Sequence, residues 1–296
     1  PLYENYIWPQ EQDIEENIEG THFNSFFVGN ELDHYGKLMG MGIFCHELGH
    51  ALGLPDFYNT NPYVTLPRNP FGFWSIMDAG PYVNRANAPI GYTAYERSYL
   101  GWLKIKELTE PETVKLDPVS NKEGQLAAIV RSPNSRLEYF ILENRTSDTW
   151  YPKEYKENRG GGYETFTFGD GLMLSHYAYD KYTWASNNVN TNAQKMRAYM
   201  IPADNEKLNY SAHRENLYGV NKMNIDKLTF YDKTSIENAV QDIKVHEDGT
   251  ITFGYRQQTN SIENITDKVK ETVGDGYYYD LQGRRVLNPT RGIYIH

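Results

Sequence analysis

The residues of this sequence best equipped for chemistry lie in FCHELGHALGLPDFY, Phe44 to Tyr58. His46 and His50 are four apart, and Glu47 directly follows the first. On a helix, positions i and i+4 share a face, so both imidazoles can reach one ion about 2.0–2.1 Å from each nitrogen. Glu47 then flanks the ion without ligating it, placed to take a proton from a bound water. The competing reading is a helix that happens to carry histidines. The five-residue pattern arises by chance in on the order of one chain in a hundred of this length. Downstream residues narrow the choice. Gly53 follows His50 by three positions and can take φ > 0, which lets the chain turn sharply and swing Asp56 back towards the ion. Glu96, on a later helix candidate, is the rival third ligand. Geometry favours Asp56, because a short carboxylate after a sharp turn needs no second helix packed across the cleft.

The glycine three residues past the second histidine resembles the extended arrangement of metzincin-type peptidases, with aspartate in a slot usually held by histidine. Further on, FWSIMDAG puts Met77 in an expected tight turn. In metzincins such a turn sets a methionine beneath the metal as an apolar floor. Together, FCHELGHALGLPDFY, GFWSIMDAG, YTAYERSYLGWL, YFILENR and GLMLSHYAYDKYTW resemble the immune inhibitor A family of secreted bacterial metallopeptidases, from about Ile7 to Asp204. The resemblance implies a secreted or cell-surface zinc endopeptidase acting on protein or peptide substrates. It implies Zn2+ on His46, His50 and Asp56, and Glu47 as general base. Tyr82, shortly after the Met77 turn, is a candidate oxyanion donor. Acidic loops also permit structural Ca2+.

The elements that must position these residues read as follows. KLMGMGIFCHELGHALG, Lys37 to Gly53, predicts a buried helix, although Gly40 and Gly42 each cost about 1 kcal/mol against alanine inside one. YTAYERSYLGWLK, Tyr92 to Lys104, predicts a second, amphipathic helix, and NSFFVGNEL a strand running into a loop. After about Glu107 come short β-rich runs: TVKLD, LAAIV, LEYFILE, GLMLSHYA, MRAYMI and DIKVHEDGTITFGY. The last of these turns at Asp248-Gly249. The expected fold class is therefore α+β: a metzincin-like catalytic part over 1–108, an antiparallel β-sandwich over 109–256, and a linker with a partial β-rich tail over 257–296. Catalytic domains of the resembling family carry a substantial sheet before the zinc helix, so we expect the front of that domain to lie outside this sequence. Because the sequence opens at Pro1, any signal peptide or pro-segment is also expected outside it. The terminal YYYDLQGRRVLNPTRGIYIH is similar to C-terminal sorting tails of secreted proteins from Gram-negative anaerobes. A small hairpin turning at Gln282-Gly283 is an equal alternative.

Composition excludes other classes. With 39% hydrophobic and 23% charged residues, the 296-residue chain reads as globular, and no apolar run approaches the roughly 20 residues of a membrane span. A net charge of −10 argues against nucleic acid. The single cysteine, Cys45, rules out an intramolecular disulfide and is expected to pack as a small apolar residue. His176 reads as a hydrogen-bonded structural histidine, the glycines of ENRGGGYETFTFGDG as a loop, and the many tyrosines as aromatic β-surface. The rival function is an adhesin or glycan-binding module with a retained but non-proteolytic zinc site. An intact Glu47 favours the enzyme, since a structural zinc has no use for a general base.

Overall fold

The computed structural model describes residues 9–32, 36–63, 67–118, 121, 124–146, 153–158, 162–192, 194–257, 278–279 and 285–286. In chain order these form β1 (Gln10–Ile18), β2 (Thr21–Val28), α1 (Gly42–Ala51), α2 (Ala94–Tyr99), β3 (Lys106–Glu107), β4 (Glu112–Leu116), β5 (Ala127–Arg131) and β6 (Glu138–Arg145). There follow β7 (Glu154–Asn158), β8 (Tyr163–Thr167), β9 (Gly171–Ala178), α3 (Lys181–Ala185), β10 (Ala198–Met200), β11 (Ile225–Thr229), β12 (Ser235–Val245) and β13 (Ile251–Tyr255). Contacts divide the chain into two compact units, residues 1–257 and 258–296. In the second, β14 (Tyr278–Tyr279) pairs antiparallel with β15 (Arg285–Val286). The expected turn at Gln282-Gly283 lies outside the described residues. The architecture is α+β, mostly antiparallel sheet with few helices.

At the centre of the first unit is a five-stranded sheet in the order β10-β9-β6-β5-β3, antiparallel except for the short β3–β5 pair. Its strands read as continuous apolar runs because both faces are buried, and residue alternation divides them. Ala127, Ile129, Tyr139, Ile141, Met173 and Tyr177 join one core with Phe57, Trp74, Met77 and Tyr95 from the segment that carries α1 and α2. Their neighbours Ala128, Val130, Phe140, Leu142, Leu172 and Leu174 join a second core with the four-stranded antiparallel sheet β11-β12-β13-β4. The β12–β13 hairpin turns around Asp248-Gly249, with Val245 opposite Ile251 and Gly249 at φ 78°.

Several elements differ from the sequence expectation. β1 is polar and largely exposed, so no hydrophobic pattern marks it. It forms because Glu19 and Gly20 both take positive φ, the two-residue turn that matches strand twist. α2 is only six residues long, not the thirteen from Tyr92 to Lys104. Gly101 at φ 75° turns the chain, and the Trp102 N–H reaches back to the Arg97 carbonyl (2.8 Å). Of the glycines expected as loop, Gly162 and Gly169 lie outside strands on either side of β8, Gly171 opens β9, and Gly160 and Gly161 lie outside the described residues. Some tyrosines go inward instead of onto a β-surface: Tyr95 stacks on Tyr177 at 4.0 Å between ring centres, with Tyr139 beside them, joining α2 to the central sheet, whereas Tyr63, Tyr163 and Tyr182 are exposed.

α1 begins five residues later than the run from Lys37 suggests, for a steric reason. The backbones of Pro81 and Ala86 press against this end of the helix. A Cβ on Gly42 would lie 2.0 Å from the Pro81 carbonyl oxygen, and one on Gly40 2.1 Å from the Ala86 carbonyl. These glycines are close-approach points, so their low helix propensity is tolerated. Propensity alone says Gly42→Ala should stabilise by about 1 kcal/mol. We expect the opposite sign, a loss of about 1–3 kcal/mol from the clash. Thermal melting of that variant checks it, and a raised melting temperature would refute the close-approach account.

Candidate active site

α1 ends in a two-bond helix cap: Gly53 N–H reaches the His50 carbonyl (2.8 Å) and Leu54 N–H the Gly49 carbonyl (2.9 Å), with Gly53 at φ 95°. The reversal brings Asp56 against the helix face bearing His46 and His50. His46 Nε2 and His50 Nε2 are 3.2 Å apart, and each is 3.2 Å from Asp56 Oδ1. Four-coordinate zinc with bonds of about 2.0 Å keeps its ligand atoms about 3.3 Å apart. The triangle therefore has the size such an ion requires.

The protonation of the site follows from its outer hydrogen bonds. His46 Nδ1 donates to the Ile76 carbonyl and His50 Nδ1 to the Leu54 carbonyl, both at 2.8 Å. These bonds fix the Nδ1–H tautomer and leave a lone pair on each Nε2. Asp56 Oδ1 is buried and faces both Nε2 atoms at 3.2 Å. Two imidazole nitrogens and a carboxylate oxygen thus converge, a donor set that fits a divalent cation such as zinc. Burial pushes the Asp56 carboxyl up, but the two imidazoles outweigh it and hold the group well below its ordinary range. Burial likewise pushes His50 down, and Asp56 outweighs it to leave a net rise.

The triangle opens on a cleft of about 1270 Å³ that Glu47, Tyr58 and Tyr82 also line. Glu47 is buried on α1 at the cleft wall. Tyr82 is half exposed, its ring 6.1 Å from that of Tyr210. Burial first, then Tyr210, Glu47 and Asp56, pushes its phenol up, so it stays protonated and able to donate. Tyr58 stacks over His46 at 6.4 Å, and burial together with the Asp56 charge pushes its phenol up as well.

Beneath α1, Met77 occupies the third position of a turn closed by Asp78 N–H to the Ser75 carbonyl (3.2 Å). The methionine is fully buried and packs on Gly49, where a Cβ would stand 2.5 Å from its sulfur. Glu96 is fully buried and outside the triangle. Its Oε1 accepts from Ser75 Oγ (2.5 Å) and Met77 N–H (3.3 Å), and its Oε2 from Thr93 N–H (2.5 Å). It caps α2 and ties the Met77 turn to it.

Residues 13–104 match the family described as the immune inhibitor A peptidase M6, catalytic domain. This segment belongs to the immune inhibitor A peptidase family. The chain is also 27% identical over 136 residues to the pre-pro-metalloprotease PrtV of Vibrio cholerae serotype O1, in two strains. That alignment covers 41% of this chain and 14% of the relatives' length. No solved structure matches.

The immune inhibitor A segment contains His46, Glu47, His50, Asp56, Met77 and Tyr82, but the site also draws on residues beyond it. Asn187 bonds Asp56 twice, from 131 positions away. Tyr155, Trp184 and Tyr210 line the cleft. Glu143 Oε2 accepts from Ala94 N–H (2.9 Å) at the start of α2. No local pattern marks any of them, because each acts only across the fold. His176 stands apart, buried with its Nε2 3.1 Å from Glu138 Oε1. Burial, with Lys195 nearby, pushes it down to about 4. Cys45 is half-buried against the first core.

The two carboxylates should separate in experiment. Asp56→Ala is expected to weaken zinc binding at least tenfold. Glu96→Gln keeps an acceptor for the turn but sets an amide N–H against Thr93 N–H. It should lower the melting temperature while changing zinc affinity less than about threefold. Zinc titration and melting of both variants check this, and the reverse ranking would move the third ligand to Glu96.

Proposed function

We propose that this chain carries the working centre of a secreted zinc-dependent endopeptidase that hydrolyses extracellular proteins. The observation that carries the reading is the 3.2 Å triangle of His46 Nε2, His50 Nε2 and Asp56 Oδ1 beside Glu47 in an open cleft. His46, His50 and Asp56 would hold the ion. Bound there, zinc would lower the pKa of a water to about 7 and polarise the scissile carbonyl. Glu47 accepts the proton given up as that water attacks, then returns it to the leaving amine. Tyr82 donates its O–H to the developing oxyanion, a role supported by its place on the cleft and its raised phenol. Met77 fills the space under α1, so that the histidines cannot retreat from the ion.

The immune inhibitor A match and the metalloprotease relatives support peptide hydrolysis. The name pre-pro-metalloprotease supports action outside the cell. Among the described residues no helix is long and apolar enough to cross a membrane. We read residues 1–108 as metzincin-like catalytic framework and 109–256 as a β-sandwich whose nearer sheet is the bed on which that framework rests.

The test combines metal content with one substitution. Protein purified without chelator should carry about one zinc per chain. Glu47→Gln should retain that zinc and the melting temperature but lose several orders of magnitude in hydrolysis of a denatured protein substrate. Unchanged turnover in this variant would overturn Glu47 as the base. Absence of zinc even after it is offered would overturn the whole reading.

A further inference from the structure

The two histidine ligands are held by a helix and by their own Nδ1 bonds, whereas Asp56 follows the helix in irregular chain. One carboxamide holds it at both its backbone and its side chain. Asn187 Oδ1 accepts the Asp56 backbone N–H at 2.6 Å, and Asn187 Nδ2 donates to Asp56 Oδ2 at 2.6 Å. A backbone N–H can only donate, so the amide fits only this way round, with its NH2 towards the carboxylate. With Oδ2 engaged, Oδ1 is the oxygen turned to His46 and His50.

Resting on the zinc reading above, we infer that Asn187 is a positioning residue that fixes Asp56 as a one-oxygen ligand. The metal affinity of the centre is thereby set in part by the β-rich region that follows the catalytic segment. The clamp is itself well anchored. Asp180 Oδ1 caps α3 by accepting from Tyr182 and Thr183 N–H (3.1 and 3.0 Å). Trp184 is buried, with its ring 5.0 Å from that of Tyr179 and 6.4 Å from that of Tyr95. Asn187 then reverses the chain at φ 54°, a left-handed conformation that asparagine tolerates better than most residues, and its N–H returns to the Trp184 carbonyl (3.2 Å). Three residues on, Asn190 Nδ2 donates to the Phe57 and Ala198 carbonyls, both at 2.7 Å. One loop therefore grips the Asp56–Phe57 backbone at two successive residues, and only the Asn187 grip reaches the ligand side chain.

A purely structural staple would shift the melting temperature without touching the metal, and the experiment separates the two roles in the full chain. Asn187→Gly removes the carboxamide while adopting φ 54° freely. Asn187→Asp keeps an acceptor for the Asp56 N–H but sets a carboxylate oxygen against Oδ2. Zinc affinity is read by competition with a chromophoric chelator, coordination by the visible spectrum of the cobalt(II) form, and folding by melting of the metal-free proteins. Both variants are expected to raise the zinc Kd 10–100-fold and to alter the cobalt spectrum. Zinc affinities within threefold of wild type, with an unchanged cobalt spectrum, would overturn the clamp whatever the melting temperatures. Failure of the wild-type chain to bind zinc would instead overturn the metal reading beneath it.

Discussion

Lone pairs on His46 Nε2, His50 Nε2 and Asp56 Oδ1, held 3.2 Å apart at the cleft, repel one another unless a proton or a metal cation lies among them. Keeping them there against that repulsion is the demand that organises this part of the molecule. Each atom is fixed from behind by a hydrogen bond to a different piece of chain: the Ile76 carbonyl, the Leu54 carbonyl and the Asn187 carboxamide. None of these three supports comes from the helix that carries the histidines. The same restraint gives a metal site its affinity, because the ligands lose little freedom when the ion arrives.

The Ile76 support depends in turn on the Met77 turn, and that turn depends on Glu96. A fully buried carboxylate costs several kcal/mol unless its lone pairs are used, and here the turn and the α2 cap use them. Burial raises its pKa, while the Ser75, Thr93 and Met77 bonds oppose that rise. The rival for the third-ligand slot is thus committed to holding the Met77 turn. Met77 itself sits so close to Gly49 that helix and turn behave as one packed body.

The central five-stranded sheet explains why the β-rich region cannot be peeled away from the site without consequence. One face contributes Ile129, Tyr139, Ile141 and Tyr177 to the core under the catalytic segment, and the other closes a second core with the four-stranded sheet. The stack of Tyr95 on Tyr177 and the bond from Ala94 N–H to Glu143 fasten α2 to the same sheet. Cleft walls accordingly come from both sides of residue 108.

The meeting of His46 and His50 was legible in the sequence because helix geometry alone fixes which residues share a face, and Gly53 announced the reversal that returns Asp56. The runs of β6, β9 and β12–β13 were legible too, since continuous or hairpin-flanked apolar residues have few other uses. β1 was not, because a polar exposed strand carries no periodic signal and exists through its turn and its partner. Nor did propensity place the start of α1 or the end of α2. The first is set by the Pro81 and Ala86 backbones and the second by the positive φ of Gly101. Tertiary structure alone decided that Glu96 serves the turn, that Tyr95 and Tyr177 stack inside the core and that Asn187 meets Asp56 across 131 positions. A sequence pattern can specify what neighbours along a helix will do together, but contacts between distant segments exist only once the chain has packed.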